Sequence, residues 1–202
     1  MRIVDEEQLR QILPPPREST QSKVLDHLDE QGLEFLAASP FLLLATAGKD
    51  GAIEVSPKGD EPGFVQAEDP RTVLIPDRSG NNLAFGLTNI LHNPHVGAIA
   101  LLPATGETLR FSGQAEILAD PALLERLSMR GRPALLAIRI RISHAYFHCA
   151  KSVLRSSLWQ PEKWPAPKKI SFGRIIGKKI GADEKTRQQI DAMVADAYRK
   201  PL

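Results

Sequence analysis

The stretch FLLLATAGKDGAIEVS, residues 41–56, decides the fold prediction. An apolar run over 41–47 is followed by Gly48-Lys49-Asp50-Gly51, a sequence typical of the turn between two antiparallel strands. The chain then returns as a second strand over 52–56. The stretch therefore predicts a β-hairpin at the start of the core.

Further β-like runs follow the hairpin, with one intervening helix. The runs cover residues 72–75, 96–102, 108–118 and 134–147, and helical spacing occurs over 82–91 and again, briefly, over 120–127. The last run alternates isoleucines with polar side chains, which indicates one buried and one polar face. Five or six short strands at this spacing predict a small antiparallel barrel.

Helices are predicted at both ends of the chain. Apolar spacing predicts a short helix over 4–13, stopped by three prolines, and one or two more over 24–36. Residues 183–199 predict a terminal helix with Asp183 as its N-cap. We expect a single domain made of a helical segment (1–40), a barrel core (41–160) and a Pro/Trp-rich C-terminal segment ending in a helix (161–202).

Composition is that of an ordinary globular protein. The 202 residues are 42% hydrophobic and 25% charged, with a net charge of +2 that gives no support for nucleic-acid binding. The single cysteine cannot form an intrachain disulfide, and acidic residues stand where a signal peptide would be apolar. No run approaches the ~18 apolar residues of a membrane span. We expect a cytoplasmic protein without membrane contact.

Two segments carry polar donors next to predicted regular structure. They are Val55–Asp60, at the end of a strand, and Ile75–Asn82, which leads into a helix and contains Arg78, Ser79, Asn81 and Asn82. Backbone N–H groups and the helix dipole at such a place favour an anion, and Lys58 would complete the site. The pattern leaves two interpretations open, a capped loop with solvated charges and a phosphate-binding loop.

Other motifs are excluded by geometry or by their absence. His148 and Cys149 are adjacent on a strand and point to opposite faces, so neither a shared metal ion nor a nucleophile pair is predicted. The chain has no Gly-x-Gly-x-x-Gly or Walker sequence, which argues against a dinucleotide fold and a P-loop. The basic residues of 168–179 are interpreted as solvated surface, with nucleic-acid contact as the alternative.

In their order, the segments resemble the pyridoxamine 5′-phosphate oxidase-like flavoproteins over residues 35–160. The resemblance is carried by Val55–Asp60, by Leu74–Arg78 with Gly80-Asn81-Asn82, and by 89–97 and 106–113, while 148–159 is similar to an uncharacterised bacterial branch. It implies a split β-barrel, mainly β with flanking helices (α+β), antiparallel and homodimeric, with FMN at the dimer interface.

The resemblance also implies which residues hold the cofactor. The strand matching Val55–Lys58 would pass along the flavin, the loop matching Arg78–Asn82 would hold the phosphate, and Thr108 would lie near the ring. C-terminal residues of the partner chain would close the site. The full predicted set is Val55, Ser56, Pro57, Lys58, Ile75, Pro76, Asp77, Arg78, Asn81, Asn82, Thr108, Lys151, Arg155 and Trp159. Lys58, Lys151 and Arg155 are the candidates for a cation near the flavin N1–C2 carbonyl, and no catalytic residue is assigned.

The expected function is FMN-dependent redox chemistry on a small molecule or electron donor. The arginine-leucine-histidine cluster by which the true oxidases hold the vitamin phosphate is replaced here by Arg155-Ser156-Ser157-Leu158-Trp159. Pyridoxamine phosphate is therefore not the expected substrate. Two alternatives stay open: a flavin or quinone reductase fed by NAD(P)H, and a non-catalytic protein that binds flavin, deazaflavin or haem on the same barrel.

Overall fold

An antiparallel sheet of seven strands forms the core of the chain, whose computed structural model describes residues 2–199. The strands are β1 (Phe41–Ala47), β2 (Ile53–Gly59), β3 (Gln66–Asp69), β4 (Thr72–Asp77), β5 (His95–Leu101), β6 (Thr108–Leu118) and β7 (Leu136–His148). They are ordered β2-β1-β5-β6-β7-β4-β3, and every neighbouring pair is antiparallel. The predicted antiparallel split barrel with flanking helices is confirmed. The expected count of five or six strands is wrong, because the short polar strand β3 has no apolar run to mark it.

The predicted hairpin between β1 and β2 is confirmed. Ala47 pairs with Ile53, and the Gly48 N–H donates to the Ala52 carbonyl at 2.8 Å. Gly51 has φ 82°, a left-handed conformation that glycine adopts without steric cost. Leu42 and Leu44 of β1 are buried, at 0% and 2% exposure, so the apolar run packs one face into the core.

Strands β6 and β7 pair along almost their whole length and form the longest ladder of the sheet. The register shifts between Ser112 and Gly113, where the two strands approach closely. A Cβ atom on Gly113 would lie 1.9 Å from the Arg141 carbonyl oxygen, so only glycine fits at this position. Leu109, Ile138 and Ile140 fill the core below the ladder.

Six helices lie before, within and after the sheet, up to residue 156. They are α1 (Glu6–Ile12), α2 (Glu18–Gln21), α3 (Glu30–Ala38), α4 (Phe85–His92), α5 (Pro121–Arg126) and α6 (Lys151–Ser156). The prediction of helix over the first part of 24–36 is wrong, because Leu25 is extended and exchanges two backbone hydrogen bonds with Ala145 of β7. The predicted start of α4 at residue 82 is also too early.

The chain divides into two compact units, one up to Pro161 and one from Glu162 onward. The predicted segments 1–40 and 161–202 include residues 1 and 200–202, which lie outside the described residues. In the second unit, α7 (Phe172–Ile180) and α8 (Glu184–Ala197) form a helical hairpin. Asp183 caps α8 as predicted, by accepting from the Thr186 N–H.

Helix α7 is not among the helices that the sequence predicts, since residues 168–179 are interpreted there as solvated basic surface, with nucleic-acid contact as the alternative. Ser171 caps it and donates through Oγ to Asp191 of α8 at 2.6 Å. Gly173 and Gly177 let the two helices touch, since a Cβ atom on Gly173 would lie 2.0 Å from the Arg187 carbonyl oxygen. A close helix–helix contact of this kind depends on tertiary geometry and leaves little trace in apolar spacing.

Candidate functional site

Two ion pairs join the ends of β2 and β4, two strands that share no ladder hydrogen bonds. Lys58 Nζ of β2 pairs with the Asp77 carboxylate of β4. Arg78 Nε, one residue beyond β4, donates to Asp60 Oδ2 at 2.9 Å. All four side chains are between 17% and 26% exposed. The two ion pairs therefore connect β2 with β4 across the gap between these strands.

A cavity of about 510 Å³ lies at this bridged split, a volume within the usual range for small-molecule sites. Its walls come from β2, the end of β4, the loop 79–84, the first turn of α4 and the start of β7. Four large apolar side chains on the wall are more than half exposed: Val55, Leu83, Phe85 and Leu135. The site thus combines an apolar surface with the charged groups of the rim.

The loop that leads into α4 has an unusual backbone. Asn82 and Ala84 have φ of 58° and 53°, and the Asn81 Oδ1 accepts from the Leu83 N–H at 3.0 Å. Ala84 stands at the N-cap of α4 and offers no side-chain cap to the first turn. Phe85 and Gly86 of that turn line the cavity. The positive end of the helix dipole is therefore exposed to a ligand in the cavity.

The cations of the site are engaged by the protein itself. Besides Asp60, Arg78 donates through Nη2 to the Leu127 carbonyl at 2.8 Å and through Nη1 to the Arg132 carbonyl at 3.4 Å. Each terminal nitrogen carries a second N–H group, so Arg78 keeps donors that these bonds do not use. The two positive and two negative charges of the bridge cancel. An anion in this cavity would therefore be held by directed N–H groups and the helix dipole more than by excess charge.

Most of the predicted cofactor-binding residues share this cavity. Nine line it: Val55, Ser56, Pro57, Lys58, Pro76, Asp77, Arg78, Asn81 and Asn82. Ile75 is fully buried in the core at 0% exposure, so its side chain supports the wall from behind. Whether these residues bind a cofactor stays a prediction.

The other four predicted residues lie elsewhere in the chain. Thr108 begins β6 opposite His148, and the Trp159 Nε1 donates to the Thr105 carbonyl at 2.7 Å. Lys151 and Arg155 are exposed on α6. None of the four lines the 510 Å³ cavity of the same chain. A role for them at that cavity would require a second copy of the chain, as the family resemblance implies.

Sequence reasoning missed several residues of the cavity wall. Leu83, Phe85 and Leu135 were not among the candidates, although they supply much of its apolar surface. In the sequence, each of them is marked only as an apolar residue at the edge of a loop. Many core positions share this feature, so it does not indicate a cavity. Gly86 was also missed; a Cβ there would lie 3.4 Å from Ser56 Oγ, so larger side chains would extend toward β2.

Residues 2–199 contain neither a candidate metal cluster nor a candidate membrane-spanning helix. No group of three or more His, Cys, Asp or Glu side chains is arranged to hold a metal ion in this part of the chain. Over the same residues, no helix combines the length and apolarity needed to cross a bilayer.

Comparison with known proteins places the chain in a family. The family model described as pyridoxamine 5′-phosphate oxidase matches residues 28–149. A search of the curated proteins gave no match. Since the family match covers more than half of the chain, the protein belongs to the pyridoxamine 5′-phosphate oxidase family, a group of flavin-binding, oxidoreductase-type proteins with a split-barrel fold.

Solved structures with similar folds include three proteins with different names. HupZ of Group A Streptococcus is 16% identical over 59% of this chain and 93% of its own, with a TM-score of 0.48. An F420 reductase is 23% identical over 58% and 96%, with a TM-score of 0.42. An FMN-binding protein from Syntrophomonas wolfei is 11% identical over 70% and 95%, with a TM-score of 0.46. Similarities of this size do not indicate which ligand this chain binds.

Proposed function

We propose that the protein is an FMN-dependent oxidoreductase that acts on a small molecule in the cytoplasm, with FMN in the 510 Å³ cavity. The observation that carries the proposal is the composition of that cavity. It joins the β2 segment Val55–Lys58 to the loop Arg78–Asn82 and to the uncapped start of α4. These are the segments that the family resemblance assigns to a flavin ring and its phosphate.

The residues of the cavity fit such a group. Exposed apolar side chains such as Val55 and Leu135 offer a surface for a flat aromatic ring system. The first turn of α4 offers backbone N–H groups for a phosphate, and the Lys58 ammonium keeps N–H groups that its bond to Asp77 does not use. FMN itself supplies the electron-transfer chemistry, as flavin cofactors do generally. This chain's residues bind it, orient it and set the charge around it.

The proposed assembly is a homodimer formed through the outer face of the sheet. On that face Leu43 of β1 lies opposite both Pro57 of β2 and Ile99 of β5, while Phe41 lies opposite Leu101. Phe41 is 39% exposed, and β2 is an edge strand with unpaired backbone groups. An apolar face that ends in an open edge favours association with a second copy.

Substitution of Arg78 tests the proposed cofactor site. Arg78→Ala removes the bonds that fix the end of β4 to Asp60 and to the Leu127 carbonyl, so the phosphate-binding loop loses its anchor. We expect FMN affinity to fall by about tenfold or more, in line with the loss of charged hydrogen bonds. Quenching of FMN fluorescence on titration with apoprotein measures the affinity, and a thermal melt verifies folding.

Arg71→Ala is the matched control for this experiment. Arg71 is 55% exposed and pairs with Asp26, and it lines no part of the cavity. Its removal should leave FMN affinity unchanged. If Arg78→Ala folds and binds FMN as tightly as Arg71→Ala does, Arg78 does not belong to the cofactor site.

A further inference from the structure

The core-facing row of strand β1 ends in a polar side chain. Leu42 and Leu44 of this row are buried in the core, and Thr46 follows them at 2% exposure. Because alternate side chains of a strand point to the same face, the Thr46 hydroxyl lies on the apolar side of the sheet. A buried hydroxyl without a hydrogen-bond partner is costly, so this position favours a partner from another element.

Asn89 of α4 supplies that partner. Its Nδ2 donates to Thr46 Oγ1 at 3.2 Å. The other end of the same amide lies beside the turn between β1 and β2, where a Cβ atom on Gly48 would be 3.2 Å from Asn89 Oδ1. The Asn89 side chain therefore attaches α4 to the end of β1 by a directed polar contact.

Helix α4 also packs on the sheet through apolar side chains. Ile90 is 5% exposed and belongs to the core cluster, and Leu87 packs against that cluster. Apolar attraction is non-directional, so it constrains the rotation of the helix and its shift along its own axis less sharply than a hydrogen bond does. The bond between Asn89 and Thr46 therefore adds a constraint on orientation that the apolar contacts do not supply.

The bond acts on the end of α4 that borders the cavity. Phe85 and Gly86 lie about one helical turn before Asn89 and therefore share its face of the helix. Both line the 510 Å³ cavity, whereas neither Asn89 nor Thr46 does. A Cβ atom on Gly86 would lie 3.5 Å from Thr46 Oγ1, so the first turn of α4 runs close to the same hydroxyl. A change at Thr46 or Asn89 thus reaches the cavity through the position of this turn.

We propose that Asn89 and Thr46 are positioning residues that determine how well this protein distinguishes FMN from riboflavin. The inference rests on the proposed function, in which the first turn of α4 holds the phosphate of FMN. Riboflavin carries the same ring system without the phosphate, so only FMN depends on the N–H groups of that turn. Charge-assisted hydrogen bonds are strong, and a small displacement of the turn weakens them. Loss of the bond between Asn89 and Thr46 lowers the affinity for FMN and spares that for riboflavin.

Titrations of Thr46→Val and Asn89→Ala with the two flavins test the proposal. Thr46→Val keeps nearly the same side-chain shape and removes the hydroxyl, while Asn89→Ala removes the donor. Quenching of flavin fluorescence by the full-length apoprotein gives the dissociation constants of FMN and of riboflavin for each variant. We expect FMN binding to weaken by about fivefold or more in both variants and riboflavin binding to change by less than about twofold.

Two further variants are the controls. Thr88→Val makes the same chemical change at an exposed position of α4, and Thr46→Ser keeps a hydroxyl at the position to which Asn89 donates. Both should retain the wild-type ratio of FMN affinity to riboflavin affinity. A thermal melt verifies folding, and if one of Thr46→Val and Asn89→Ala does not fold, the other one decides the result.

Three outcomes would overturn the proposal. A preference for FMN that is unchanged in both variants would show that the bond does not position the turn, and the proposed FMN site would stand. Equal weakening of FMN and riboflavin binding would show that the two residues only support the fold. A wild-type protein that binds riboflavin as tightly as FMN would show that α4 does not hold the phosphate. A wild-type protein that binds neither flavin would contradict the proposed function itself, which is a result distinct from the other three.

Discussion

Arg78 both fixes the local fold and borders the cavity proposed for FMN. Its guanidinium ties the end of β4 to Asp60 and to two backbone carbonyls, and the same residue borders the cavity. From the sequence, Arg78 and Lys58 were free cations beside a helix start. The structure gives each a carboxylate partner that is distant in the chain, at Asp60 and Asp77, which no local pattern reveals.

His148 makes stability depend on pH. Burial, with the charges of Arg110 and Lys23, lowers its pKa in the folded state below the usual 6.5. The unfolded chain therefore binds the proton more readily, so this contribution is present above pH 6.5 and is lost as pH falls toward the folded-state pKa. We expect wild type to lose stability between neutral pH and pH about 5 more steeply than His148→Gln does.

Denaturant melts in phosphate-free buffer over this range measure the difference. His92→Gln is the control, because His92 is exposed and its Nδ1 bonds to the Thr88 carbonyl of its own helix. The free energy of unfolding of His92→Gln should change with pH as that of wild type does. Parallel curves for wild type and His148→Gln would contradict the expected repulsion.

At the scale of secondary structure, the start of α4 is the element that most shapes the site. Ala84 occupies its N-cap with φ 53°, where a side chain is strained and a capping residue is absent. Natural helix starts usually carry a capping side chain, which would occupy the N–H groups of the first turn. The uncapped start leaves those groups available to a ligand, at a cost to the stability of the chain.

Glycine at this position should stabilise the protein. Ala84→Gly relieves the left-handed strain, and after the entropy of glycine in the unfolded chain is counted we expect a gain of about 0.5 kcal/mol. Ala37→Gly, at an exposed position within α3, should instead cost about 1 kcal/mol. Chemical denaturation measures both. A loss of stability in Ala84→Gly comparable to that in Ala37→Gly would show that the left-handed conformation is not strained.

The elements differ in how far the sequence could predict them. Strands β1, β6 and β7 carry long apolar or alternating runs, and they form close to where the pattern indicated. Strand β3 has four residues, three of them polar, and is held by its neighbour β4, and α7 depends on glycine contacts with α8. Neither arrangement has a local signal, so both were missed.

The same limit applies to the candidate site. Nine of the fourteen predicted residues line one cavity because they lie on two contiguous segments, 55–58 and 76–82. Ile75 has its side chain in the core and does not line the cavity, and its predicted part in cofactor binding stays a prediction. The apolar wall formed by Leu83, Phe85 and Leu135 could not be predicted from the sequence, because these residues come together only when the chain folds.

At the scale of the whole molecule, the outer sheet face should control assembly. Ile99 lies near the middle of that face, opposite Leu43 and Arg110 on its two neighbouring strands. Ile99→Lys places a charge in the proposed interface, so we expect the dimer to dissociate to monomers in sedimentation velocity. Leu91→Lys, on an α4 position that is 74% exposed, should stay dimeric. If the wild-type protein sediments as a monomer, the proposed interface is contradicted.

The absorbance spectrum of the protein as purified, with the released chromophore identified by mass, tests the central claim most directly. We expect flavin bands near ~450 nm and release of about one FMN per chain, since the chromophore is the cofactor's own. A released deazaflavin or haem would keep the barrel as a binding site but contradict FMN. A colourless protein that also takes up no added FMN would contradict the flavin assignment of the cavity.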